Sequence, residues 1–253
     1  MKLSKEERAA IKASFQKMSL ADKADYIFTY YRLPIVVGLA ALYFVGSTVY
    51  HQVTKKEILL YSALMNITVG DELDAQLGEG FVSASGGDPK KAEVYLYHGI
   101  YMSDNPTTEN HQYAYASKLK LMASIEAKQL DIVLMNQEAY DIYSQNGYLL
   151  ELSSLLASDA VLYQLLEPNL TANTVIIEDN AVEYALRETN RYKAVTEEVT
   201  NGLDVSGYPM FQEAGFQEAV YLGVIANTPR IPAVMQYIEY LTAAQSAENH
   251  AAA

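Results

Sequence analysis

The residues able to do acid–base or metal chemistry are few and scattered. The four histidines are His51, His98, His111 and His250, and no cysteine occurs in 253 residues. Glu109 and His111 form a lone E-x-H pair, short of a zinc ligand set, and Asp104-x-Pro106 lacks the spacing of a calcium loop. No G-x-S-x-G, H-E-x-x-H or phosphate-binding glycine loop is present. With no nucleophile–base pair, metal set or cofactor motif in view, the expectation is a protein that is not an enzyme and carries neither cofactor nor metal. His98, inside a strand-like run, reads as a histidine satisfied by a neighbour.

Binding chemistry has better candidates. Polar residues follow three apolar runs of strand length: Asn66 and Thr68 after the first, Ser103 and Asp104 after the second, Asn136, Gln137 and Glu138 after the third. In a parallel sheet the carboxyl ends of the strands leave a crevice, so Asn66, Thr68, Ser103, Asp104, Asn136 and Glu138 are the expected ligand-binding residues. The same types also cap helices and form turns, and both readings stand at this point. Tyr95, Tyr97, Tyr101, Tyr113, Tyr115, Tyr140 and Tyr143 offer either an aromatic binding face or ordinary core and interface.

The elements that position these residues alternate. Ile58 to Met65 is a strand, and Asp71 to Val82 a helix with Leu73, Leu77 and Phe81 inward. Gly86-Gly87-Asp88-Pro89 breaks the chain before a strand over 93–100. A helix over 111–128 turns Ala116, Leu119, Met122, Ala123 and Ala127 inward, and a short buried strand spans 131–135. Helices between strands predict parallel pairing, hence an α/β sheet. Only one apolar strand, 174–178, stands out of the polar middle section.

Before this domain lies an uncharged run of twenty-two residues, Leu33 to Thr54, rich in Ile, Val, Leu, Ala, Tyr and Phe. As a helix it would be about 33 Å long, enough for a hydrocarbon core of roughly 30 Å. Gly38 and Gly46 share one face, as where a second helix comes close. Seven cations against four carboxylates make residues 1–32 net +3, so of the total −13 the rest carries −16. Cations stay inside, so the N-terminus is expected in the cytoplasm and the acidic body outside.

An acidic body excludes nucleic acid as a partner, because phosphates would be repelled. Ser4 with Glu7 and Ser19 with Asp22 have capping spacing, predicting helices over 5–17 and 20–33 that lie on the bilayer or against a partner. Asn66-Ile67-Thr68 and Asn169-Leu170-Thr171 match the glycosylation acceptor pattern by chance in a chain of bacterial character.

Residues 117–156, SKLKLMASIEAKQLDIVLMNQEAYDIYSQNGYLLELSSLL, resemble the first lobe of a type II extracellular solute-binding protein. Tyr221 to Pro229 with Met235 to Leu241 is similar to the closing strand and helix of that family. The resemblance implies a three-layer α/β lobe that binds a small solute for a transport complex. Two departures stand beside it: about seventy residues between Leu152 and Val220 are too few for a second lobe, and no cysteine exists for a lipoprotein tether.

The combined expectation has four parts: cytoplasmic amphipathic helices (1–32), a transmembrane helix (33–54), an extracytoplasmic α/β domain (55–243) and a flexible tail (244–253). The partners expected are the lipid bilayer, a membrane protein or a second copy of the chain, and a small-molecule solute. A structural or assembly subunit without a ligand is the alternative.

Overall fold

The structure, a computed structural model, describes residues 12, 18–30, 32–105 and 110–251. The helix expected over 5–17 therefore lies outside the described residues, apart from Lys12. The chain forms two compact units, 1–55 and 56–253.

In the first unit, α1 spans Leu20–Tyr30 and α2 spans Arg32–Thr54. Ser19 caps α1 as its spacing predicts: its hydroxyl donates to Asp22 at 2.7 Å and accepts from the Asp22 N–H at 3.2 Å. Among the described side chains of helix α2, none of the large apolar ones is buried. Leu33, Val36, Val37, Leu39, Leu42 and Phe44 are 59–76 % exposed. Among the described residues no helix is long and apolar enough to cross a membrane. The described side chains of α2 end at Thr48, and Arg32 to Thr48 rises about 25 Å, against a core of roughly 30 Å.

The second unit is a mixed α/β domain around one six-stranded sheet. Its strands are β1 (Glu57–Met65), β2 (Ala92–Ile100), β3 (Ile132–Met135), β4 (Leu170–Asp179), β5 (Ala194–Asp204) and β6 (Tyr221–Val224), in the order β2-β1-β3-β6-β5-β4. Strands β2, β1 and β3 are parallel, whereas β6, β5 and β4 each run antiparallel to the preceding strand in that order. The continuous apolar runs of β1 and β3 follow from this position, since central strands are buried on both faces.

One face packs Leu60, Leu64, Leu134 and Leu222 under α3 (Asp71–Ala75), α4 (Phe81–Ala84) and α11 (Ile231–Ala251). The other packs Ala63, Met65, Val133 and Met135 under α5 (His111–Glu126) and α6 (Gln137–Gln145). The short helices α7 (Leu152–Leu156), α8 (Ala160–Leu166) and α10 (Pro209–Glu213) join the first layer through Leu152, Leu166 and Phe211.

Between α3 and α4 the helix widens into a π turn, Gln76–Gly80, so the expected helix is one continuous rod with a bulge. Leu73, Leu77 and Phe81 face in as predicted. Carbonyls of the bulge are taken up from α11: the Tyr240 hydroxyl donates to Gln76 O at 2.9 Å and the Tyr237 hydroxyl to Leu77 O at 3.0 Å. Tyr237 is fully buried and its ring meets Phe81 edge-on at 4.9 Å. Tyr237→Phe removes the hydroxyl that donates to Leu77 O inside a packed layer, and we expect a loss of about 1–2 kcal/mol. A thermal melt of the full chain in detergent would read this as a midpoint lower by a few degrees; an unchanged midpoint would show that the bulge does not depend on this bond.

The inward face of α5 differs from the expectation. Ala114, Ser117, Leu121, Ser124 and Ile125 are buried, while Leu119 and Met122 are 50 % and 42 % exposed. The two serines can face inward because Ser117 Oγ accepts from the Tyr101 N–H and Ser124 Oγ donates to Lys120 O. The backbone of α11 is helical to Ala251, through most of the expected tail.

Candidate functional site

The carboxyl ends of β1, β2 and β3 do gather the predicted polar residues, and most of their hydrogen bonding is spent on holding the chain. Asn66 takes the left-handed conformation (φ 57°), a conformation asparagine tolerates. Its side chain makes a reciprocal pair with Met102, Nδ2 donating to the carbonyl and Oδ1 accepting from the N–H, both at 2.7 Å. The exits of β1 and β2 are thereby tied together. Asn136 is the N-cap of α6, accepting from the Ala139 N–H at 3.1 Å. Ser103 Oγ accepts from the Asn105 N–H.

Thr68, Asp104 and Glu138 are exposed. Ser103 and Asp104, with His111, Tyr115 and Lys118, line a cavity of about 170 Å³, below the range of roughly 300–1,000 Å³ typical of small-molecule sites. Of the tyrosines considered for an aromatic face, Tyr95 and Tyr97 cluster with Tyr61, at ring separations of 4.8–6.5 Å. Arg230 lies over Tyr61 and Lys120 over Tyr97. Tyr140 and Tyr143 are core residues whose phenols burial raises well above their ordinary pKa.

A larger cleft, about 460 Å³, opens between the π turn and edge strand β2, and no sequence motif marks it. Asp71, Asp74, Glu79 and Glu93 supply carboxylates; Lys56 and His98 supply the cationic and titratable groups. His98 Nε2 is 3.3 Å from Asp74 Oδ1, so this strand histidine has a carboxylate beside it, without the hydrogen bond that would satisfy it. That contact is not aligned as a hydrogen bond, and Asp74 Oδ1, shielded from water, has no donor. Lys56 and Glu93 pair loosely at 3.8 Å. The cleft holds no serine, threonine or cysteine, so the His98–Asp74 pair has no hydroxyl or thiol of those types to activate. Among the described residues no group of three or more His, Cys, Asp or Glu is placed to hold a metal ion. The available signal was the i, i+3, i+7 spacing of Asp71, Asp74 and Gly78 on one side of the rod.

The other unforeseen feature is an antiparallel arm made by β4 and β5, joined at its end through the short helix α9 (Ala181–Ala185). Its base is clamped to α6 by a buried polar network. The Tyr140 hydroxyl lies 2.9 Å from Thr171 O and 3.0 Å from Asn201 Oδ1; Asn201 Nδ2 donates to Ser144 Oγ, which donates to Thr174 O. Side chains of α6 thus occupy carbonyls of edge strand β4, one way of blunting an edge. Farther out the arm has no cover: from 177 to 198 every residue is exposed except the partly covered Asn180 and Thr189.

The two stretches that resemble a solute-binding protein are adjacent. Strand β3 pairs with β6, Leu149 bridges to Ile225, and Asp131 meets Thr228 and Arg230. Set against family models, curated proteins and solved structures, the chain matches none of them.

Proposed function

We propose that this is a single-pass membrane protein, N-terminus in the cytoplasm, that presents its α/β domain outside the cell as a binding or docking module for a membrane complex, in the manner of one solute-binding lobe serving a transporter. The observation that carries the reading is α2, whose aliphatic and aromatic side chains are exposed at Leu33, Val36, Val37, Leu39, Leu42, Tyr43, Phe44 and Val45. A surface of that kind is stable only when lipid or another helix replaces water. The uncharged run to Thr54 and the net +3 before it support a crossing with that orientation. Adjacency of the two family-like stretches supports the one-lobe part of the reading.

The absence of cysteine makes topology easy to test. Ser4→Cys and Ser158→Cys place single thiols on either side of α2. A membrane-impermeant maleimide should label Ser158→Cys in intact cells and Ser4→Cys only after permeabilisation, with the chain released from membranes by detergent and not by salt. A chain found in the soluble fraction, or Ser158→Cys protected in intact cells, refutes the reading. Detergent extraction with mass measurement then separates a docking module, recovered with a partner, from a solute binder, whose melting temperature rises with ligand. An obligate assembly with no ligand response would favour a structural subunit.

A further inference from the structure

The end of the β4–β5 arm brings exposed apolar side chains and cations together. Val182, Tyr184 and Leu186 of the connecting segment are 68, 49 and 65 % exposed, with Ile177 and Val195 of the strands each at 59 %. Of the four Lys and Arg beyond residue 128, three fall here: Arg187, Arg191 and Lys193. The loop 186–193 is thus net +2, counting Glu188, within a chain of −13. None of the three cations forms an ion pair among the described residues. The nearby Asp179 is already engaged, accepting from the Tyr192 hydroxyl and the Ala181 N–H.

We infer that this tip is a second membrane contact, dipping into the headgroup region of an anionic lipid surface. Aliphatic side chains enter the acyl boundary, the tyrosine rings sit at headgroup depth, and the cations meet lipid phosphates. The apolar residues come from both strands and the segment between them, and a fluid bilayer, unlike a protein groove, needs no matching shape. The inference rests on the membrane-anchored reading, which places lipid within tether reach at high effective concentration. The acidic remainder of the domain is repelled by the same surface, leaving the tip as the favoured contact.

The chain has no tryptophan, so one introduced indole reports alone. Full-length Leu186→Trp and, as the anchor reporter, Phe44→Trp are reconstituted into phosphatidylglycerol–phosphatidylcholine liposomes with and without bromine on the acyl chains. Phe44→Trp should be quenched in both salt conditions used. Leu186→Trp should be blue-shifted and lose roughly half its emission in brominated lipid, and Arg187→Glu with Arg191→Glu should abolish that quenching, as should raised salt. A quenched anchor with an unquenched, water-exposed tip overturns the inference and leaves the anchored reading intact. An unquenched Phe44→Trp that does not float with the liposomes overturns the anchored reading itself. A blue-shifted, unquenched tip whose emission follows protein density overturns the inference in favour of contact between copies.

Discussion

Replacing Asp131 by alanine is expected to destabilise the α/β domain by about 3 kcal/mol, the lower end of the cost of breaking a buried ion pair. Asp131 is fully buried, and its carboxylate joins three parts of the chain. Oδ2 accepts from the Tyr61 N–H of β1 at 2.8 Å, Oδ1 accepts from the Thr228 hydroxyl, and Arg230 Nη1 reaches the two oxygens at 3.2 and 3.4 Å. Its backbone also exchanges bonds with Tyr61 and Ile225. Removal strands a backbone N–H and a buried hydroxyl. Arg230 is 29 % exposed and also donates to Lys128 O, so it can turn towards water, which keeps the cost from the upper end of the range. Asp131→Asn keeps an acceptor for Tyr61 and should cost less. Urea denaturation of the full chain in detergent would separate the two; equal midpoints for Asp131→Ala and the unmodified protein would show that the cluster is not a fastening point.

The same residue marks how far the sequence can be read. The sequence places Asp131 at the start of a short buried strand, and its backbone leads into β3 there. Its larger part depends on Thr228, 97 residues away, which no local pattern reveals. Strands β1 and β3 were legible because burial on both sheet faces writes long apolar runs, the edge strand β2 because it is rich in Tyr and Val, and the rod over 71–84 because one covered face writes a regular Leu73, Leu77, Phe81 stripe. Strand β5 was not. Its residues 194–198 are exposed, so no core imposes alternation on Ala-Val-Thr-Glu-Glu, and at this end pairing with β4 alone makes the strand.

Helix α5 misled in the opposite sense. Leu119 and Met122 look like core residues but are half exposed, while Ser117 and Ser124 are inside with satisfied hydroxyls. At the site, Asn66 and Asn136 were legible as turn chemistry and sit at the predicted sheet edge. The acidic cleft beside β2 was not, because it needs the π turn and the strand brought together.

Tyrosine gives this domain a polar-tipped core, and the strongest environmental sensitivity follows from it. The hydroxyls of Tyr140, Tyr237 and Tyr240 reach backbone carbonyls from within packed layers. Burial raises the phenols of Tyr140, Tyr143 and Tyr237 far above their ordinary value of 10.0 and pushes Tyr208 up to about 12. Above pH 10 the unfolded chain releases these protons while the folded chain keeps them, so it is the folded state that binds more protons and its stability must fall as pH rises.

Each such phenol contributes up to about 1.4 kcal/mol per pH unit, so four remove about 5–6 kcal/mol by pH 11, comparable with the whole stability of many domains. We expect cooperative alkaline unfolding between about pH 10.5 and 12. Phenolate absorbance at 295 nm should then rise in two stages: exposed tyrosines near pH 10, and the buried set only as far-UV circular dichroism is lost. Titration of all tyrosines in one stage near pH 10 with the circular dichroism intact would mean that the buried hydroxyls are open to water, and with that the packing of α11 over the π turn and of α6 over β4 would be wrong.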